Sequence, residues 1–146
     1  MTLMFLHRVA YRLNRNKIPV VPTFVYFIQY LLYNSSVPAQ VKIGKGTKFA
    51  YGGIGVVIHE RAVIGENCTI GQGCTIGGRS KHYEVPIIGD NVYIGAGSRI
   101  LGPVIIGNNV IVGPNAVVLE NIASNCIAVG IPSKVVKTGI DTTDFI

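Results

Sequence analysis

An aliphatic residue recurs at every sixth position through much of this chain, and this period constrains the fold more than any other feature. Counting in sixes from Ile58 to Val118, ten of the eleven positions are Ile or Val, and the exception is His82. Gly directly follows the aliphatic residue seven times. An α-helix has a period of about 3.6 residues and a lone strand a period of about 2, so neither explains a period of six.

A unit of six residues has room for one short strand and one corner, where glycine adopts backbone angles that other residues resist. Three such units close a triangular coil, and stacked coils place the aliphatic residues in inward columns. The sequence therefore predicts an all-β fold, a parallel β-helix. Cys68 and Cys74 fall at a small inward position, so we interpret them as buried structural residues.

Composition narrows the class of protein. The 146 residues allow one domain of ordinary size, and the 49% apolar and 14% charged residues exclude a disordered chain. Three cysteines without a CxxC pair favour a reducing, cytoplasmic location. The net charge of +6 is modest and no recognition motif accompanies it, so we expect no nucleic-acid partner.

The flanks of the repeats differ in character. Residues 1–36 read as a helical N-terminal segment, residues 37–138 as the β-helix domain and residues 139–146 as a tail, with a closing strand at 130–137. The first helix carries Arg8, Arg12, Arg15 and Lys17. Two interpretations stay open: the helices cap the open end of the β-helix, or they contact an anionic membrane at its inner face.

Several runs of this sequence resemble the hexapeptide-repeat acyltransferases. They are Ile-Gly-Glu-Asn-Cys-Thr-Ile-Gly-Gln-Gly-Cys-Thr-Ile-Gly-Gly at 64–78, the run 94–106 and the ending 128–135. The segments 6–11 and 55–59 are similar to serine acetyltransferases and their short relatives in surface-polysaccharide synthesis. The resemblance implies a left-handed β-helix, a homotrimer and acetyl transfer from acetyl-CoA to a hydroxyl. We expect no metal, because three histidines at 7, 59 and 82 lack the spacing of a zinc site.

The sequence departs from that family at the acceptor site. Serine acetyltransferases carry an Asp two residues before a His-Pro pair, where this chain reads Ser36-Val37-Pro38, and their in-coil catalytic His falls at Tyr51 or Gly52. Their acidic helical domain has no match in this sequence. We therefore predict a saccharide acceptor, with L-serine as the alternative and a non-catalytic trimer as the second alternative.

Two histidines are candidates for the general base that takes the hydroxyl proton. His59 stands where Gly usually follows the aliphatic residue, and coils of 18 residues would stack Gly77, Gly95 and Gly113 over it as a furrow for the pantetheine arm. His82 interrupts the column inside a polar run, which favours a loop outside the coil. The sequence leaves open which histidine is the base.

The remaining candidate residues follow from the resemblance and from side-chain chemistry. The resemblance implies that backbone groups hold the pantetheine at Gly77, Gly78, Gly95, Ala96, Ser98, Gly113 and Pro114. Lys134 and Lys137 are candidates for the CoA phosphates. Aromatic and polar side chains suit a sugar acceptor, and we assign it Tyr51, Arg79, Lys81, Tyr83 and Glu84.

Overall fold

Three parallel sheets wind into a β-helix of triangular cross-section in the computed structural model, which describes residues 2–142. The first sheet holds β1 (Lys42–Ile43), β4 (Val63–Ile64), β7 (Ile87–Ile88) and β10 (Ile105–Ile106). The second holds β2 (Lys48–Phe49), β5 (Thr69–Ile70), β8 (Tyr93–Ile94), β11 (Ile111–Val112), β13 (Cys126–Val129) and β14 (Lys134–Thr138). The third holds β3 (Val57–Ile58), β6 (Thr75–Gly77), β9 (Arg99–Leu101) and β12 (Val117–Val118). The predicted fold class is confirmed.

The six-residue period is the period of the core. Ile58 pairs with Ile76, Ile76 with Ile100 and Ile100 with Val118, so equivalent residues of successive coils stack in one inward column. The other aliphatic residues of the period are also buried, and so are the small residues four positions further on, including Cys68 and Cys74. Their burial removes apolar surface from water along the full length of the prism, which is the main source of its stability.

The N-terminal segment forms α1 (Leu3–Arg15) and α2 (Val21–Tyr33), as the sequence predicts. The Thr2 side chain caps α1 by accepting a hydrogen bond from the Phe5 N–H at 3.2 Å. Leu3 is fully buried in the same cluster as the core of the β-helix, so α1 caps the open end. Within residues 2–142, neither helix is both long and apolar enough to cross a bilayer.

The C-terminal end closes with the antiparallel pair β13 and β14. The strand predicted at 130–137 begins four residues later, because residues 130–133 form a turn, and it ends one residue later, at Thr138. Beyond it, Ile140 is buried and its N–H donates to the Asn125 carbonyl at 3.1 Å. The predicted tail is thus packed against the last coil as far as Thr142, and its residues 143–146 lie outside the described part of the chain.

Candidate active site

A loop at residues 79–86 leaves the β-helix between β6 and β7 and carries His82. Thr75 pairs with Arg99, 24 positions further on, whereas Arg99 pairs with Val117 after only 18, so the loop adds six residues to one coil. His82 is exposed, and its backbone N–H donates to the Arg79 carbonyl at 3.1 Å. The prediction that His82 leaves the aliphatic column is confirmed.

His59 lies at the root of this loop. It follows β3, and its ring lies 3.7 Å from the point that a Cβ of Gly78 would occupy. Its Nδ1 accepts a hydrogen bond from the Arg61 N–H at 3.2 Å. A neutral imidazole that accepts at Nδ1 carries its proton on Nε2, so His59 in this arrangement offers a hydrogen-bond donor rather than a base.

Arg61 also ties the loop to this corner. Its guanidinium carbon lies 3.9 Å from the centroid of the Tyr83 ring, a cation–π contact. Because Tyr83 is the neighbour of His82, the contact holds the loop against the turn that follows His59. The other predicted acceptor residues of the loop, Arg79, Lys81 and Glu84, are exposed there.

The predicted glycine furrow over His59 holds for Gly77, which follows Ile76 in the coil stacked on Ile58, but it is wrong for Gly95 and Gly113. The six additional residues shift later repeats by one face, so Gly77 pairs with Leu101 and not with Gly95. Gly95 instead lies against Gly71 on one side and Gly113 on the other. Gly77 and Gly78 therefore belong to the corner between the third and first sheets, with His59, whereas Gly95 and Gly113 form the corner between the second and third sheets.

The other predicted cofactor residues divide in the same way. Ala96 and Pro114 lie at the corner of Gly95 and Gly113. Ser98 is fully buried beside them, and its hydroxyl lies 2.7 Å from the Gly95 carbonyl and 2.9 Å from the Gly113 carbonyl, so it is engaged inside the coil.

The two candidate lysines lie near the C-terminal end of the β-helix. Lys134 forms an exposed ion pair with Glu120 at 3.4 Å. Lys137 lies in β14, opposite Ile127.

Tyr51 lies in the first coil, between β2 and β3, at the same corner of the second and third sheets as Gly95 and Gly113. It stands in a 3-10 turn at Ala50–Gly53 with φ of 49°, a left-handed conformation that costs an aromatic residue energy, and its side chain is 80% exposed. The Ser35 hydroxyl donates to the Gly53 carbonyl and so holds the turn from below. Ser36, close by, hydrogen-bonds through its hydroxyl to that of Tyr26 at 2.7 Å.

The candidate residues thus occupy two edges of the third sheet. One edge carries His59, the loop with His82 and Tyr83, and Gly77; the other carries Tyr51, Gly95 and Pro114. Sequence reasoning missed Arg61, because a contact between residues 61 and 83 leaves no periodic signal. Within residues 2–142, no group of three or more His, Cys, Asp or Glu side chains is placed to hold a metal ion.

Comparison with known proteins identifies the repeats and their relatives. Residues 86–120 match the family described as bacterial transferase hexapeptide (six repeats), and residues 61–80 match the hexapeptide repeat of succinyl-transferase. A serine acetyltransferase of Synechococcus elongatus is 39% identical over 92% of this chain and 56% of its own length.

Solved structures agree with the sequence comparisons. The soybean serine acetyltransferase apoenzyme has a TM-score of 0.83 at 37% identity, over 90% of this chain and 55% of its own. A serine acetyltransferase of Brucella abortus in complex with coenzyme A has a TM-score of 0.88 at 26% identity, over 94% of this chain and 56% of its own. The chain thus spans little more than half the length of these relatives.

Proposed function

We propose that this chain, a hexapeptide-repeat acyltransferase homologue that resembles the serine acetyltransferases, transfers an acetyl group from acetyl-CoA to a hydroxyl. The observation that carries the proposal is the shared β-helix, which matches a coenzyme A complex over 94% of this chain. In the reaction the hydroxyl oxygen attacks the thioester carbonyl carbon and the carbon–sulfur bond breaks. The hydroxyl proton passes to a base, and CoA leaves as the thiol.

The two histidines suit different roles in this reaction. His59 accepts at Nδ1 from the Arg61 N–H, so its Nε2–H is the group that can donate to the developing oxyanion or to the leaving sulfur. His82 then takes the hydroxyl proton as general base. Its loop is tethered through Tyr83 to Arg61, which keeps both imidazoles at one corner of the prism.

L-Serine is the first candidate acceptor, because the relatives with the matching fold are serine acetyltransferases. A saccharide hydroxyl is the second, and one observation favours it. No acidic residue occurs before Glu60. The first 59 residues, which include Ser36 and Tyr51, therefore supply no carboxylate that could pair with the ammonium group of serine. Tyr51 is exposed, and so is Tyr83 apart from the ring face that Arg61 covers, so both offer an aromatic surface that suits a sugar ring.

Release of the CoA thiol tests the proposal and separates the acceptors. A thiol reagent detects the free thiol of released CoA, and the protein's own thiols contribute little signal because Cys68, Cys74 and Cys126 are all buried. We expect CoA release that depends on L-serine or, for the second candidate, on a saccharide from a panel of mono- and oligosaccharides. Release no faster than the acceptor-free blank in every arm contradicts acyl transfer and leaves a non-catalytic β-helix.

Variants of the two histidines test their roles. His82→Ala is expected to lower kcat by roughly 10²–10⁴, the range for loss of a general base. His59→Ala is expected to lower kcat as well, while Lys48→Ala, an exposed charge on β2, serves as the control. Full activity of both histidine variants contradicts the assignment.

A homotrimer is the proposed assembly. The outer face of the first sheet supports it, because Ile87 and Ile105 stack beside Val63 and both are about half exposed. Light scattering is expected to give three times the 15.6 kDa of one chain. A monomer at micromolar concentration contradicts the trimer.

The proposed location is the cytoplasm, where three free cysteines stay reduced. Peripheral membrane contact by the N-terminal segment stays a prediction. It is supported by the outer face of α2, where Phe24, Phe27 and Leu31 are exposed, and by the basic residues of α1. Flotation with anionic vesicles but not with neutral ones is the expected result, and flotation with neither contradicts membrane contact.

A further inference from the structure

A groove of about 610 Å³ lies between α1 and the first sheet, at the third corner of the triangle. This corner joins the first sheet to the second, and it carries none of the candidate active-site residues. A volume of this size is in the range of about 300–1,000 Å³ that holds small organic ligands.

The charge of this groove is entirely positive. Arg8, Arg12 and Arg15 line it from α1, Lys42 faces them from β1, and no lining residue in the described part of the chain is acidic. Spacings of four and three residues put the arginines on one face of the helix, over about 10 Å of its length at 1.5 Å per residue. Within residues 2–142, none of these four groove cations is in an ion pair with an acidic side chain.

One of the four cations, Arg8, is held in place by the protein itself. Arg8 donates through Nη2 to the Gly44 carbonyl at 2.9 Å, which fixes its guanidinium between the helix and the first coil. A guanidinium has five N–H donors, and this bond occupies one of them. The helix dipole accounts for arginines in the last turn, at 12 and 15, but not for Arg8 in mid-helix or for Lys42 on the strand.

The uncharged side chains that line the groove indicate which chemical group an anionic ligand would carry beside its negative charge. Tyr11 stands among the arginines, and Ile43 and Ile64 form an apolar side. His7 also lines the groove but is only 2% exposed, and burial lowers its pKa to about 4, so it is neutral near pH 7. The permanent charge thus comes from the three arginines and Lys42.

We propose that this groove binds an organic diphosphate, with the phosphates on Arg12, Arg15 and Lys42 and the organic group against Tyr11 and Ile43. The row of arginines is longer than a single phosphate, and planar guanidinium groups match phosphate oxygens in paired hydrogen bonds. Two sources share this chemistry: the diphosphate of CoA itself, and a separate nucleoside diphosphate. The groove lies at a different corner from the proposed acyl-transfer site, so a nucleotide ligand does not depend on that function.

Calorimetric titration of the full chain at low salt tests the proposal, with inorganic pyrophosphate, UDP and CoA as probes. The double variant Arg12→Gln/Lys42→Gln is expected to weaken pyrophosphate and UDP binding by about tenfold or more, because charge-assisted hydrogen bonds are lost. Lys45→Gln/Lys48→Gln removes the same charge from exposed positions outside the groove and is expected to bind like the unmodified chain. Added salt is expected to weaken the binding of pyrophosphate and UDP in both double variants.

The CoA arm identifies the source. A parallel loss of CoA and UDP affinity in Arg12→Gln/Lys42→Gln supports the groove with CoA as its ligand; a loss for UDP alone supports it with a separate nucleotide. Pyrophosphate and UDP that fail to bind the unmodified chain at millimolar concentration overturn the proposal, and so does an equal loss in both double variants. Should Arg12→Gln/Lys42→Gln fail to fold, the single variant Arg15→Gln, also at an exposed groove position, is expected to weaken pyrophosphate and UDP binding where Lys48→Gln does not. Because the readout is binding, an inactive enzyme leaves the result intact.

Discussion

Alanine at two glycines of the six-residue period should change stability in opposite directions. Gly77 and Gly95 occupy the same position of the repeat, but the structure places them at different corners. A Cβ on Gly95 would lie 2.5 Å from the Pro114 nitrogen and 2.8 Å from the Gly113 carbonyl carbon. A Cβ on Gly77 would meet its nearest atom, in the Leu101 side chain, at 3.5 Å, which is ordinary contact.

The magnitudes follow from these contacts. Gly→Ala at a position without strain stabilises a protein by about 0.4–1 kcal/mol, because the unfolded chain loses freedom, and this is the expected gain for Gly77→Ala. Gly95→Ala carries the same gain, but the added carbon collides with backbone that cannot rotate away. Overpacking costs about 1–3 kcal/mol, and three contacts below 3 Å favour the upper half of that range. The expected net loss is about 2 kcal/mol.

Thermal unfolding followed by circular dichroism measures both variants. At one fixed protein concentration, since assembly shifts Tm, Gly95→Ala is expected to lower Tm by about 4–8 °C and Gly77→Ala to raise it by about 1–4 °C. Gly71→Ala is a second test of the same corner, because its Cβ would lie 2.6 Å from the Ala96 nitrogen. Equal shifts for Gly77→Ala and Gly95→Ala would refute the register and the division of the site into two corners.

Four variants test the core, the buried histidine and the assembly. In urea unfolding, Ile100→Ala is expected to lower the free energy of unfolding by about 2–5 kcal/mol, and His82→Ala by under about 0.5 kcal/mol. Equal losses would indicate that His82 lies in the buried aliphatic column. Burial lowers the pKa of His7 from 6.5 to about 4 in the folded chain. As the pH falls below about 6.5, this histidine is therefore protonated in the unfolded chain before it is protonated in the folded one. Stability is therefore expected to fall by about 3 kcal/mol between pH 6.5 and 4, and His7→Gln to flatten that slope; an unchanged slope contradicts this. Ile105→Lys is expected to reduce the trimer to monomers in light scattering, and an intact trimer excludes the first sheet as the contact.

The sequence predicts the core of this fold well because inward columns require one residue type at a fixed spacing. Every aliphatic position of the period from Ile58 to Val118 is buried, and the one exception, His82, is the residue outside the coil. The register over His59 could not be predicted in the same way. The loop adds six residues, which is one full period, so the aliphatic phase continues unbroken while each later repeat moves to the next face.

The site residues show the same limit. A period reports which side chains point inward, but contacts between corners depend on how many faces separate two repeats. Arg61 and Tyr83 meet because the loop folds back over the turn after His59, and nothing in the spacing of 22 residues indicates it. The groove beside α1 was equally hidden: its arginines are visible in the sequence, but Lys42 joins them only when the helix packs on the first coil.

The added six residues also bear on how the proposed reaction depends on assembly. They separate His59 and His82 from Gly95 and Pro114 by the full width of the third sheet, so one chain alone does not bring the histidines to the corner that the resemblance assigns to pantetheine. On the proposed homotrimer, we expect a neighbouring subunit to supply the missing half of the site. On the proposed function, a chain that folds as a monomer is expected to lose acetyl transfer while keeping its β-helix. Ile105→Lys tests this coupling, because Ile105 lies on the outer face of the first sheet and belongs to neither corner. An active monomer would show that both halves of the site come from one chain.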